Sequence, residues 1–153
     1  MAYTMTFDVL HEYDAGDLGI TVPVELTIGM NSTKVDAKLD SGAGCCIFRR
    51  ELGEMLGLDI ESGMPQWIST PTGSFLTYGH DVTISAFEFQ LNVMVYFAVD
   101  EWFIRDVLGR FGWMQQLKLG IVDYEGKLYI GSYDADTSVD DIVAEIEKDR
   151  TQS

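Results

Sequence analysis

Asp40, in the stretch VDAKLDSGAGCCIF, stands at the end of an apolar strand. The small residues that follow it are Ser41, Gly42, Ala43 and Gly44. A glycine such as Gly42 lets the backbone turn and lets a ligand or a second chain come close, and the Ser41 hydroxyl could hold the loop. A carboxylate exposed on this loop could accept or donate a proton in catalysis. The alternative is an ordinary Asx turn that leaves a strand.

The other residues that could do chemistry have no partners in the sequence. Cys45 and Cys46 are adjacent, and one peptide unit hardly allows the geometry of a disulfide between them. We interpret them as free thiols in a reducing compartment, with one of them facing inward. No histidine is placed to activate either thiol, and the scattered His11 and His80 make no zinc pattern. We therefore expect no metal and no cofactor, and take both histidines as structural.

The composition indicates one folded, acidic domain. The chain has 153 residues, of which 46% are hydrophobic and 12% aromatic, so it can bury a single core. Its formal net charge of -15 argues against a nucleic acid or an anionic lipid surface as partner. We expect the large aromatics to lie in the core, with Trp67 and Phe75 also as candidate pocket walls; they are Trp67, Phe75, Tyr78, Trp102 and Trp113.

The sequence also carries expectations about location. No apolar run approaches the roughly 20 residues of a membrane span. The first 16 residues contain acids and no basic leader, which is not the pattern of a secretory signal. We therefore expect a cytoplasmic protein without a membrane segment.

The alternation of apolar and polar residues predicts a mostly β chain. Predicted strands cover residues 3–10, 20–29, 34–40, 87–99 and 106–109. Pro23 indicates either that the second strand lies at an edge or that Pro23 is among the first residues of its strand. Hairpins are expected around the TPTG turn at Thr70–Gly73 and around Glu125–Gly126.

Helical spacing appears in three places. A short helix is expected after residue 48, with Leu52, Met55 and Leu56 on one side and an end at Gly57. A second short helix is expected over RFGWMQQL, residues 110–117. Residues 134–153 change character, and a stripe at Val139, Ile142, Val143 and Ile146 predicts a helix over 137–148. We therefore divide the chain into a domain of residues 1–133 and an acidic helical tail of residues 134–153.

Two segments in order carry a family resemblance. KLDSGAGCCIFRRELGEMLGL and the later DVLGRFGWMQQLKLGIVDYEGKLYIG resemble the two conserved segments of the retropepsin-like aspartic proteases in their single-domain homodimeric form. Between them, WISTPTGSFLTYGHDVTI falls where that family has its flap hairpin. The resemblance implies a closed or partly open β-barrel with a flap, one or two short helices and, outside the family core, the C-terminal helix.

The resemblance implies an aspartic endopeptidase. In this family two carboxylates share one proton, because like charges so close together cannot both ionise. One activates a water molecule and the other polarises the peptide carbonyl. This chain has one Asp-Ser-Gly, so two copies, each supplying Asp40, would form a homodimer that binds a peptide or protein substrate.

The resemblance also implies roles for other residues. Ser41 would bond across the two-fold axis, Gly42 would leave room for the substrate backbone, and Ala43 would support the loop. The hairpin would fold over the substrate. Its expected substrate-binding residues are Ser69, Thr70, Pro71, Thr72, Gly73 and Ser74. The second family segment is marked by Leu108, Gly109 and Arg110.

Two positions depart from the family pattern. Gly44 stands where retroviral members have an Asp that pairs with the Arg of Gly-Arg, so Arg110 lacks that partner in the sequence. Phe111 stands where Asn or Asp is usual. These departures motivate an alternative, a catalytically silent module that binds a peptide or protein. A further alternative is an assembly role for the acidic tail.

Overall fold

The computed structural model describes residues 1–133 and 146–151, and this part is mostly β. Its strands are β1 (Val9–Glu12), β2 (Thr21–Ile28), β3 (Asn31–Leu39), β4 (Cys46–Phe48), β5 (Met64–Thr70), β6 (Gly73–Ala86), β7 (Phe89–Ala98), β8 (Val107–Leu108), β9 (Leu117–Val122) and β10 (Lys127–Ser132). The helix α1 spans Arg50–Met55. Single 3₁₀ turns occupy Ile60–Ser62, Met114–Gln116 and Asp123–Glu125.

Six strands close into a barrel. They are hydrogen-bonded in the order β2, β3, β8, β4, β7 and β6, and β6 pairs back to β2. The closing contact joins Glu25–Thr27 to Thr83–Ser85. β5 extends the sheet beyond β6 as the outer strand of a hairpin, and β1, β10 and β9 form a separate three-stranded sheet. The predicted closed β-barrel is confirmed.

The barrel interior is filled by one face of each strand. In β2, Val22, Val24 and Leu26 are buried and alternate with residues that face outward. Pro23 pairs only with β3, because the pairing of β2 with β6 begins at Glu25. The missing N–H of Pro23 therefore costs no hydrogen bond to β6 there. β2 is not an edge strand of the closed barrel, and Pro23 instead lies among the first residues of its strand.

The short helix packs on the barrel as expected, with one exception. Leu52 and Leu56 are buried, and the helix ends before Gly57, whose φ is +78°. Met55, placed on the same stripe by its spacing, is 56% exposed. A helix of six residues has too few turns to bury all three positions.

Two predicted elements are wrong in extent. Residues 3–8 are not a strand, because pairing with β10 begins only at Val9 and the ring of Phe7 instead packs on Tyr129. Residues 110–117 form only a 3₁₀ turn. Phe111 is held in a parallel bridge to Cys45, and Gly112 has φ +111°, so neither can join a helix.

The expected tail helix is described only in part. Residues 146–151 are helical and exposed. The stripe positions Val139, Ile142 and Val143 lie outside the described residues, and the domain boundary after residue 133 stays a prediction.

Candidate active site

Asp40 follows the last residue of β3 and is held beside β8. The parallel pairing of β3 with β8 sets Leu39 opposite Leu108. The Asp40 N–H then donates to the Leu108 carbonyl at 3.0 Å. The two sequence segments that carry the family resemblance therefore meet at the carboxylate.

The loop after Asp40 is a tight turn that leaves the carboxylate exposed. The Gly42 N–H donates to Oδ1 of Asp40 at 2.8 Å, and the Ala43 N–H donates to the Asp40 carbonyl at 3.1 Å. Asp40, Ser41 and Gly42 are all exposed in this single chain. The loop is thus an Asx turn, and its backbone bonds aim a solvent-facing carboxylate away from the barrel.

The Asx turn by itself does not distinguish this loop. Asp14 forms the same turn in the chain, with the Gly16 N–H donating to its Oδ1 at 2.8 Å. That turn, however, lies in the connection between β1 and β2. Asp40 differs from Asp14 because the second segment of the family resemblance is hydrogen-bonded to its loop.

The second segment is joined to the loop by three backbone donors. The Arg110 N–H donates to the Ala43 carbonyl at 2.9 Å, and the Phe111 N–H donates to the Gly44 carbonyl at 2.8 Å. The Gly109 N–H points to the Cys46 sulfur at 3.4 Å. The chains approach so closely that a Cβ on Gly109 would collide with the Cys45 backbone. Leu108 and Gly109 are therefore buried spacers that align the loop.

Arg110 has a different environment from the one its motif suggests. Its side chain is exposed and pairs with no carboxylate of the described residues. The guanidinium instead lies 5.6 Å from the centre of the Phe111 ring. With Gly44 and Phe111 at the two departing positions, an aromatic contact occupies this part of the site.

A partly buried ion pair near the site is formed by other residues, which the sequence did not indicate. Arg49 Nε lies 3.4 Å from Oδ2 of Asp106, and the Arg49 N–H donates to Oδ1 at 3.1 Å. The Asp106 carbonyl accepts the Lys38 N–H at 2.8 Å, two residues before Asp40. The pair therefore fastens the entry to β8 against β3 and the start of α1.

Burial raises the pKa of Asp106, because loss of solvation disfavours its charge more than Arg49 favours it. The folded chain therefore keeps this proton at pH values where the unfolded chain has lost it. The stabilisation is present in acid and is lost as the pH rises from about 3.9 through the raised pKa.

We expect Asp106→Asn to remove this pH dependence, since the amide oxygen can still accept the Arg49 N–H. The free energy of unfolding is measured by denaturant titration at about pH 4 and about pH 7. Relative to the wild type, the variant should be more stable at the higher pH than at the lower one. Asp36→Asn, which changes an exposed carboxylate on β3, is the matched control. Parallel stability curves for Asp106→Asn and the wild type would contradict the assignment.

The hairpin expected around the TPTG turn at Thr70–Gly73 is confirmed. β5 and β6 pair from Met64↔Gly79 to Thr70↔Gly73, with Pro71 and Thr72 as the two-residue turn. The Thr70 hydroxyl donates to the Gly73 carbonyl at 2.8 Å and closes the tip. Every residue from Ser69 to Ser74 is exposed, so the tip stands away from the barrel.

Aromatic residues link the hairpin to the loop before β8. Phe75 stacks on Phe103 with ring centres 4.9 Å apart. Trp67 is 64% exposed, so the expectation that it lies in the core is wrong. It lines a cavity of about 500 Å³, and its role as the wall of a substrate pocket stays a prediction. Trp113 is fully buried, but the expectation that Trp102 is core is wrong, because it is 88% exposed on the connecting loop.

The thiols and histidines behave as structural residues. Cys46 is fully buried and Cys45 is partly buried, so one of the pair faces inward as expected. Burial raises the pKa of both thiols, which disfavours a thiolate nucleophile. His11 and His80 each donate from Nε2 to a backbone carbonyl, of Thr21 at 2.8 Å and of Ile60 at 2.9 Å.

No helix within residues 1–133 and 146–151 combines the length and hydrophobicity needed to span a membrane.

Comparison with known proteins places this geometry in a family. The family model described as Aspartyl protease matches residues 22–121. A retropepsin-like aspartic protease from Rickettsia conorii is similar in structure, with a TM-score of 0.57 and 17% identity over 80% of this chain and 96% of that chain. EIAV protease, solved with the inhibitor HBY-793, gives a TM-score of 0.50 and 21% identity over 64% of this chain and 86% of that chain.

No curated protein matches the chain. The family match nevertheless includes the Asp40 loop, the hairpin and the segment from Leu108 to Arg110. The chain therefore belongs to the aspartyl protease family and has the retropepsin-like fold.

Proposed function

We propose that this protein is an aspartic endopeptidase whose active site forms between the Asp40 carboxylates of two copies of the chain. The observation that carries the proposal is the exposed Asp40 carboxylate, bonded through its loop to the second segment of the family fold. One chain supplies a single Asp-Ser-Gly loop. A two-fold axis beside that loop would bring the second carboxylate to the first.

The proposed reaction needs the two carboxyl groups in different protonation states. The ionised Asp40 takes a proton from water, and the water oxygen attacks the carbonyl carbon of the peptide bond. The protonated Asp40 of the second copy donates its proton to the carbonyl oxygen. The C–N bond then breaks as a proton reaches the leaving nitrogen, which yields a carboxylic acid and an amine.

The surrounding residues suit this reaction. Ser41 is exposed beside the carboxylate, where its hydroxyl is available to the second copy. Gly42 and Ala43 present no bulky side chain to a substrate backbone. The exposed hairpin tip from Ser69 to Ser74 would close over the substrate as a flap and exclude water. A cytoplasmic location and the absence of a nucleic acid partner belong to the same proposal.

A mixing experiment tests whether the site is shared. If two Asp40 carboxylates are required, an Asp40→Asn chain that exchanges into the dimer inactivates its wild-type partner. Random pairing of equal amounts of the two chains should lower the hydrolysis rate to about half that of the wild type alone, and a ninefold excess to about one tenth. The measurement is the rate on a peptide library after subunit exchange, with mixed dimers verified by mass spectrometry.

The control uses Asp14→Asn in place of Asp40→Asn, because Asp14 has the same Asx turn outside the site. When that chain is added, the hydrolysis rate divided by the amount of wild-type chain should not fall, because both subunits of the mixed dimer are active. A rate that does not change with added Asp40→Asn, in verified mixed dimers, would show that one chain suffices and would contradict the shared site.

A further inference from the structure

The outer half of the β5–β6 hairpin projects beyond the barrel sheet. β6 pairs with β7 only from Thr77, which lies opposite Ala98. The Val99 N–H extends this contact by donating to the Leu76 carbonyl at 3.0 Å. Beyond that point β6 pairs only with β5, which has no second strand beside it among the described residues. We call residues 66–76 the hairpin arm. A two-stranded ribbon is only marginally stable alone, so the arm needs other contacts to hold one position.

One such contact is an aromatic stack between the arm and the loop that follows β7. The rings of Phe75 and Phe103 have centres 4.9 Å apart and planes inclined by 25°. Both residues are partly buried. Stacked rings at this distance stabilise a contact by more than the apolar area that they bury. The stack therefore ties the arm to the loop.

The loop that carries Phe103 is itself anchored. The Asp100 carbonyl accepts the Phe103 N–H at 3.1 Å, and Asp100 Oδ1 accepts the Trp102 N–H at 2.9 Å. At the end of the loop, the Asp106 carbonyl accepts the Lys38 N–H of β3, the strand that leads to the candidate catalytic loop. Phe103 therefore lies on a hydrogen-bonded connection between the arm and the strand that delivers the carboxylate.

Space remains beside the stack. Phe103 and Ile104 line a cavity of about 300 Å³ that also borders the start of α1. The Phe103 ring is therefore not enclosed by a packed core on every side, and small displacements of the ring meet no dense packing there. A contact of this kind holds the arm in one position and still lets the stack break and re-form as the hairpin moves.

We propose that Phe103 is a positioning residue, which holds the arm through Phe75 in the position that receives a peptide beside Asp40. The inference rests on the proposed peptidase function and adds a residue on which substrate binding depends. Phe103 acts through the arm and not on the reacting atoms. When the stack is lost, the arm also occupies positions that do not bind substrate. The apparent affinity then falls in proportion to the remaining fraction of binding-competent chains.

A substitution that removes only the ring tests the proposal. Phe103→Leu keeps an apolar side chain but cannot stack. Its KM for peptides found by library digestion should rise by about threefold to tenfold. Its kcat should stay within about twofold of the wild type, because Asp40 and its turn are unchanged. Phe103→Tyr keeps the ring and should have the wild-type KM. Trp102→Leu is the matched control, since that neighbouring side chain is 88% exposed.

A double-mutant cycle identifies the contact that is responsible. Phe75→Leu removes the other ring of the stack and should raise KM by the same factor as Phe103→Leu. The two changes combined should raise KM no further, because each single variant has already lost the stack. If the two factors multiply, the residues act independently and the proposal is wrong. Phe75→Leu also takes the place of Phe103→Leu in the other measurements if the latter does not fold.

Amide exchange gives a readout that does not need activity. The Val99 N–H bonds the arm at Leu76, so its exchange reports on the junction between arm and loop. Measured by NMR on the intact protein, this exchange should quicken in Phe103→Leu and stay unchanged in Trp102→Leu. Unchanged exchange in Phe103→Leu, or a KM that stays the same or falls, would overturn the inference and leave the peptidase standing. If the wild type hydrolyses no peptide while Val99 responds as expected, the peptidase alone is overturned, and the role of Phe103 in holding the arm stands.

Discussion

Replacing Asp40 by Asn is expected to lower the rate of peptide hydrolysis by at least about 10³-fold, because the change removes the general acid and the general base of the proposed reaction together. Asn cannot take a proton from water at neutral pH, and it cannot hold the proton that the carbonyl oxygen needs. In a symmetric dimer both carboxylates are lost at once.

The same replacement should leave the fold unchanged. Asp40 is exposed, and its Oδ1 accepts the Gly42 N–H at 2.8 Å, a bond that the amide oxygen of Asn can keep. The free energy of unfolding should stay within about 0.5 kcal/mol of the wild type. A loss of activity with retained stability would therefore report on chemistry and not on folding.

Asp14→Asn is a close control for this variant. It makes the same chemical change in the same turn geometry, with the Gly16 N–H bonded to Oδ1, in the loop between β1 and β2. Hydrolysis of a peptide library by the wild type and both variants, read by mass spectrometry across about pH 3 to pH 8, gives the comparison. Wild-type rates from a homogeneous Asp40→Asn preparation would show that Asp40 is not the catalytic group.

The largest expected effect on stability comes from Gly109→Ala, at about 3 kcal/mol of unfolding free energy. Gly109 is buried, and the added methyl group would collide with the backbone of Cys45. The obstacle is main chain, so it cannot be relieved by a rotamer change. Either β8 or the loop after Asp40 must move.

This movement would also damage the site. The donors on either side, from Arg110 to Ala43 and from Phe111 to Gly44, depend on the same close approach. Hydrolysis should fall with stability even at temperatures where the variant remains folded. Chemical unfolding at fixed protein concentration gives the free energy, and library digestion gives the rate.

Gly44→Ala is the matched control, since it adds the same methyl group on the facing segment. Its Cβ would meet only the Phe111 ring, at 3.8 Å, which is an ordinary contact. We expect a change within about 0.5 kcal/mol. If Gly109→Ala were as stable as Gly44→Ala, the close approach of the two segments would be wrong.

Local signals explain which elements were predictable. The alternation of apolar and polar residues in β2 and the turn residues Pro71 and Thr72 are signals between near neighbours in the chain. The strand and the hairpin turn that they predict are both present in the structure. The end of α1 at Gly57 is equally local. The run of small residues after Asp40 likewise produced a tight turn with an exposed carboxylate.

Pairing between residues far apart in the chain explains where the elements predicted from the sequence are wrong. RFGWMQQL reads as a helix by itself, but Phe111 is bound to Cys45, which lies 66 residues earlier by their numbers. The first strand begins late because β10 pairs with it only from Val9. Trp102 is exposed because its loop runs outside the barrel, which residue type alone does not reveal.

The sequence by itself determined the strand that delivers Asp40, the turn that exposes it and the hairpin, because periodicity and turn residues act on neighbouring positions. Only the tertiary structure decided what stands around Asp40. It bonded the segment after Leu108 to the loop and paired Arg49 with Asp106. The hydrogen bonds to the loop and the Arg49–Asp106 pair join residues far apart in the chain, so barrel closure was needed to bring them together.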